Sequence, residues 1–314
     1  MKKRIVTAIL LLAILLPLVF VESMLPVFEL FALVFVIIAS CEMLNMFEKE
    51  HHMPLPIKVI VIFSTLLLYF AIISNNPLCD NTYLVYILDY LGFKLNIIIC
   101  IGIIFILNLS CLVIVPSFTA QDIGKAFLSI IYVAIGFAAL ASLRFLGMRF
   151  IIFLLLIALG TDIFALVWGL TLGKHGKHKL APNISPKKSW EGAIGGTATM
   201  VVIGLVFIFT YNEISSFLPG VEAKNFFDGV LDTSNFPPFL LGVFSFFMTL
   251  CMSVCGQIGD LVASKLKRGY DIKDFSNIFP GHGGMLDRFD SSIYAAVVFL
   301  IFLVIAMNYV PVAR

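Results

Sequence analysis

Residues 256–291 read GQIGDLVASKLKRGYDIKDFSNIFPGHGGMLDRFDS, and apolar runs at 237–256 and 291–312 flank them. This is the most polar stretch of a greasy chain. It sets Asp260, Asp287 and Asp290 beside Lys265, Lys267, Arg268 and Lys273, with a turn-forming Pro280-Gly281-His282-Gly283-Gly284 between them. If residues 257–268 continue the preceding apolar run as a helix, Asp260, Ser264 and Lys267 fall at i, i+4 and i+7, on one stripe. Asp287 and Asp290 are three apart and share a face where the next run opens. Two helices can then aim carboxylates at one point, with the glycine turn between them. Carboxylates beside cations and a pliable backbone suit a metal-bound phosphate, since Mg²⁺ takes few carboxylates and completes its shell with water and phosphate oxygens.

The flanks decide the fold class. The 314 residues are 61% hydrophobic and 13% charged, against about 25% charged for a soluble domain. Too little polar surface remains for water. Apolar runs recur at 5–21, 25–46, 57–74, 96–117, 126–147, 150–172 and 192–211 as well as the two already named. Each is near the ~20 residues that cross a bilayer as a helix. The expectation is an all-α, polytopic integral membrane protein of about nine spans. It divides into an N-terminal transmembrane region, 1–149, and a catalytic one, 150–314. The run 25–46 is the weakest, because it carries Glu29 and Glu42. Residues 1–21 resemble a signal peptide without a small-residue cleavage site, so an uncleaved span is expected there.

Charge orients the spans. With Lys2, Lys3 and Arg4 in the cytoplasm, sixteen of the 21 Lys and Arg fall on that side; Lys94, Arg144, Arg149, Lys224 and Arg314 fall on the other. This asymmetry follows the positive-inside rule. It places the inner (plasma) membrane protein's two lysine-rich loops, 173–192 and 257–290, on the cytoplasmic face, where nucleotides are. Loops 75–95 and 212–236 read as outer connectors, with Cys79 open to reagents. The six cysteines form no CxxC pair, which argues against a zinc or disulfide framework. His51 and His52, with Glu48 and Glu50, read as a solvated loop.

Two further places can carry chemistry. Asp162 lies inside an apolar run, where a carboxylate is costly unless paired or facing water. The loop 173–192, GKHGKHKLAPNISPKKSWEG, carries Lys187 and Lys188. Ser185-Pro186 predicts a helix beginning there, with serine as the cap and proline at the first helical position. Two lysines in a first turn oppose the helix dipole, and a bound phosphate would offset that. Gly192 and Gly196 form a GxxxG that allows close helix packing.

The residues Ser264, Leu266, Lys267, Arg268, Lys273, Asp274, Ser276, Phe279, Pro280, His282, Gly283, Gly284, Met285, Asp287, Arg288 and Asp290 fill a spaced motif. With Gly259-Asp260 and the upstream SPKKSWEG, it resembles the phosphatidate cytidylyltransferase (CDP-diacylglycerol synthase) family across about 155–295. Departures are Leu166 and Leu170 at places often held by tyrosine and a basic residue, Ser189 for threonine, and Ala263 for glutamate. The resemblance implies a nucleotidyltransferase of phospholipid biosynthesis that makes CDP-diacylglycerol and diphosphate from CTP and phosphatidic acid.

It also implies roles. Asp260 and Asp287 would hold Mg²⁺, with Asp290 in support. Lys267 would act in catalysis, and His282 would meet the departing diphosphate or brace the turn. Ser185, Lys187, Lys188 and Ser189 would bind substrate from the upstream loop. Ser264, Arg268, Lys273, Gly283, Gly284 and Arg288 would do so from the motif. The expected partners are CTP, phosphatidic acid and membrane lipid, with no nucleic acid; a homodimer is compatible with the sequence. Two rivals stand beside this reading. A transporter would suit many spans with an intramembrane Asp162, although no internal repeat supports it. A CTP-dependent lipid kinase would pass on the γ-phosphoryl instead.

Overall fold

The computed structural model describes residues 13, 16–76, 79, 95–173, 178–216, 225–231, 237–279, 281 and 283–309. Eight helices dominate them: α1 (Leu25–Phe47), α2 (Leu55–Ser74), α3 (Ile97–Ile114), α4 (Ala120–Leu146), α5 (Met148–Thr171), α6 (Trp190–Ser216), α7 (Pro238–Gly269) and α8 (Leu286–Tyr309). All eight are long and apolar enough to cross a membrane. The chain is therefore a polytopic, all-α membrane protein. The expected span at 5–21 lies largely outside the described residues.

Local signals start these helices. Proline occupies the first turn of α1 and α2, where its missing N–H has no helical acceptor to lose. Asn96 caps α3 by accepting from the N–H groups of Ile98 and Ile99. Thr119 and Asp122 form a reciprocal capping box at the start of α4. Outward-facing side chains such as Ile98 and Val113 stay exposed, as lipid-facing positions do.

The chain falls into two compact units. The first comprises Met1–Met148 and Lys265–Phe289, the second Arg149–Ser264 and Asp290–Arg314. In the first unit α4 is central and packs against α1, α2 and α3. A buried amide, Asn108, donates to Ser64 Oγ at 2.9 Å and ties α3 to α2. Phe289 closes the unit against Phe35 and Phe137. On the same unit His51 meets Asp122 at 2.9 Å and His52 meets Glu48 at 3.1 Å. Each histidine thus has a carboxylate neighbour of its own, and the His52 side chain stays solvent-exposed, as expected of a solvated loop. Cys79 is 2% exposed, so the expected open thiol is an enclosed one.

The second unit has an aromatic core of Phe150, Phe153, Phe207, Phe226 and Phe299. Glycine brings α5 and α6 together: a Cβ at Gly196 would lie 2.8 Å from Ala165 N and 2.9 Å from Thr161 O. Those neighbours are backbone and cannot give way. Below this contact a buried polar chain runs from Thr161 Oγ1 to Ser253 Oγ (2.9 Å), on to Thr197 Oγ1 (3.1 Å) and to Gln257 Nε2 (2.8 Å). Hydroxyls and an amide that satisfy one another can sit in a membrane core at low cost.

Candidate active site

The upstream loop folds differently from the expectation. Ser185–Ser189 is a strand, β2, paired antiparallel with β1 (Lys179–Ala181), and α6 begins only at Trp190. The helix start expected at Ser185-Pro186 is thus corrected. Tertiary pairing outweighs the Ser-Pro signal, and the turn is made by Pro182-Asn183, where Ile184 N–H donates to Ala181 O at 3.2 Å. Proline second and asparagine third is an ordinary turn pair, so this signal was present in the sequence. Ser189 is the cap instead: its Oγ accepts from Gly192 N–H at 3.2 Å.

The strand sets the two lysines apart. Successive strand residues point to opposite sides, and here Lys187 is exposed while Lys188 is half-buried. Lys188 Nζ is enclosed and forms an ion pair with Asp260 Oδ2 on α7. Asp162 on α5 belongs to the same group. Its carboxylate feels the charges of Lys188 and Asp260 and shares a hydrogen bond with Ser291. The second unit therefore gathers two carboxylates and one ammonium from three parts of the chain. Two carboxylates, one of which already holds an ammonium, form a donor set that fits a divalent cation. Asp290 also belongs to this unit, and its Oδ1 accepts from Ser291 N–H at 2.8 Å.

The first unit holds the rest of the motif. Lys267 ends the polar stripe of α7, which does continue as a helix to Gly269. Its Nζ lies 2.6 Å from Asp287 Oδ1, and both side chains are enclosed. Asp287 Oδ2 accepts from Phe275 N–H (2.8 Å) and Gly284 N–H (2.9 Å). One carboxylate thus ties the last turn of α7, the loop and the first turn of α8. Gly281 and Gly283 sit at φ of 80° and 84°, a region only glycine enters freely. Phe279 N–H closes the turn on Gly283 O at 3.0 Å.

The remaining cations stand in the open. Arg268, Lys273 and Arg288 are exposed, and Arg268 Nη1 donates to Ile272 O at 3.2 Å. Ser185 and Ser264 are half-buried. His282 lies outside the described residues. Among the described residues no group of three or more His, Cys, Asp and Glu is set to hold a metal; a phosphate-bound ion needs fewer protein ligands than that.

Glu42 is the residue that sequence reasoning passed over. It is 2% exposed on α1, yet its oxygens are satisfied. Oε1 accepts from Ser276 Oγ (2.5 Å) and Met285 N–H (2.8 Å), and Oε2 from Leu286 N–H (2.8 Å). A carboxylate at the amino end of α8 is favoured by the helix dipole and meets N–H groups that lack a helical acceptor. Gly284 leaves room for it, since a Cβ there would collide with the Glu42 carboxyl and lie 2.8 Å from Ser276 Oγ.

Comparison with known proteins agrees with the motif. The family model described as "Cytidylyltransferase family" matches residues 2–306. A phosphatidate cytidylyltransferase of Staphylococcus haemolyticus (strain JCSC1435) is 32% identical over 295 residues, 94% of this chain and 95% of that one. The protein of the same name from Bacillus subtilis (strain 168) is 36% identical over 190 residues, 60% of each chain. One from Staphylococcus saprophyticus is 36% identical over 177 residues, covering 56% of this chain and 57% of its own. With a match along nearly its whole length, the chain belongs to the cytidylyltransferase family.

Proposed function

We propose that this chain transfers the cytidylyl group of CTP to phosphatidic acid, giving CDP-diacylglycerol and diphosphate. The activity is the one named for a relative that aligns along 94% of it. Transport and lipid phosphorylation are not favoured by that kinship. The observation that carries the chemistry is the Lys188 ammonium held on Asp260 beside Asp162. A negatively charged nucleotide needs positive charge, and a lysine parked on a carboxylate can turn to a phosphate when one arrives.

In this reading an oxygen of the phosphatidate headgroup attacks the α-phosphorus of CTP, and the bond to the β-phosphate oxygen breaks. Little covalent work falls to the protein, which positions the reactants and balances charge. Lys187, on the exposed side of β2, meets phosphate first, and Lys188 follows from Asp260. Arg268, Lys273 and Arg288 present further positive charge in water. Lys267 is held by Asp287, which fixes where its ammonium points. Mg²⁺, when bound, supplies charge neutralisation on the phosphate oxygens; Asp260, Asp287 and Asp290 are proposed as the carboxylates available to it. The membrane architecture matches the lipid substrate, whose tails stay among apolar helices while its headgroup meets a soluble nucleotide. The charge asymmetry of the loops supports a cytoplasmic site. Following the α-phosphate of labelled CTP into lipid tests the reaction.

A further inference from the structure

We propose that Glu42 is a positioning residue for the reaction: from α1 it fixes the amino end of α8 and so the placement of Asp287 and Lys267. This rests on the cytidylyl-transfer reading above. Glu42 is far from the motif in sequence, 243 residues from Met285, and belongs to the same unit as the loop it holds. Its three donors, Ser276 Oγ and the N–H groups of Met285 and Leu286, bracket the turn on both sides. Leu286 is the residue before Asp287. Asp287 in turn takes the N–H groups of Phe275 and Gly284 and the amine of Lys267. Each of the two carboxylates holds a separate set of donors on one short loop, and Gly284 is the residue whose missing side chain lets Glu42 approach.

Three backbone donors at the start of α8 are already taken. The N–H groups of Gly284, Met285 and Leu286 all point to carboxylate oxygens. They are not free to cradle a phosphate, although a glycine-rich turn at a helix start is the usual place for one. Glu42 fills the anion position itself. These contacts make the start of α8 a mount for Asp287.

The charge of Glu42 is the testable feature. A glutamine has one acceptor oxygen and one NH2 group. Whichever way it is turned, its NH2 faces the N–H of Met285 or Leu286. Glu42→Gln in the full chain, purified in detergent, is expected to lower kcat at least about tenfold while KM for CTP changes little. Hydrogen exchange at residues 275–289 should speed up, with exchange in α5 and α6 and the thermal midpoint near wild type. Glu42→Asp, one methylene short, should fall between. Ser276→Ala keeps both backbone contacts and should cost about two- to fivefold in kcat; it carries the test if Glu42→Gln does not accumulate.

Unchanged exchange at 275–289, or kcat per folded molecule equal to wild type, would overturn the proposal. So would a lowered midpoint with normal kcat, which marks a purely structural role. If wild-type protein transfers no α-phosphate, the functional reading fails, and the exchange measurement still decides whether Glu42 holds the loop.

Discussion

Lys267 Nζ stands 2.6 Å from Asp287 Oδ1, on a carboxylate whose other oxygen already takes two backbone N–H groups. The pair is enclosed, so removing one partner strands a charge, at a cost on the order of 3–5 kcal/mol. Removing both does not. Lys267→Met should therefore lower the thermal midpoint more than the Lys267→Met, Asp287→Asn double variant does. Activity should show the opposite economy: the double variant should stay inactive, because neither charge is left to serve the substrate. A double variant that regains turnover along with stability would reduce the pair to a structural strut.

Asp260 and Asp287 are the carboxylates proposed for Mg²⁺. Asparagine keeps the shape and removes the charge. Each of Asp260→Asn and Asp287→Asn should lose at least about a hundredfold in turnover, on the order of 2.7 kcal/mol of barrier. Asp290→Asn should lose less. Chelation of divalent cations should abolish wild-type activity, and Mg²⁺ should restore it. Near-normal Mg²⁺-dependent turnover in Asp260→Asn would move the metal away from that carboxylate, with Asp162 its nearest alternative.

The two lysines of β2 should separate. Lys187 is exposed, and Lys187→Ala should raise KM for CTP by roughly threefold, the scale of one solvent-screened contact. Lys188→Ala also leaves Asp260 without its ion-pair partner, so it should lower kcat by about tenfold or more. Steady-state kinetics on membrane-inserted variants reads both. Equal effects from the two would contradict the strand geometry.

Close packing of α5 on α6 depends on Gly196. Its Cβ would press on the backbone of Ala165 and Thr161, and overpacking costs about 1–3 kcal/mol. Gly196→Ala should lower the thermal midpoint in detergent, whereas Gly102→Ala, where the space is open, should not.

Orientation can be read by thiol labelling, but not at Cys79, which is buried. Asn225→Cys and Lys179→Cys place thiols at exposed positions. A membrane-impermeant maleimide should label N225C in intact cells and K179C only after permeabilisation. The reverse pattern would invert the topology.

Much of this protein is legible in its sequence because lipid imposes simple demands. The expected run 57–74 is the helix Leu55–Ser74, and 96–117 is Ile97–Ile114, since only a helix satisfies its own backbone in a membrane. Continuation of α7 to Gly269 was the condition on which Asp260, Ser264 and Lys267 share a stripe, and the helix meets it. The strand at Ser185–Ser189 was not legible, because its partner Lys179–Ala181 is fixed by pairing and Ser-Pro suits a helix start equally well. Glu42 was read as a blemish in a span. Its value depends on Met285 and Leu286, more than two hundred residues away, and no local pattern reports that.

The central claim is that the α-phosphate of CTP goes to the lipid. Purified protein in detergent should be given phosphatidic acid and Mg²⁺ with CTP labelled at either the α- or the γ-phosphate. The account predicts that α-label enters the lipid while γ-label leaves as diphosphate. Label from the γ-phosphate on the lipid would make the protein a kinase, and no lipid labelling from either position would contradict transfer altogether.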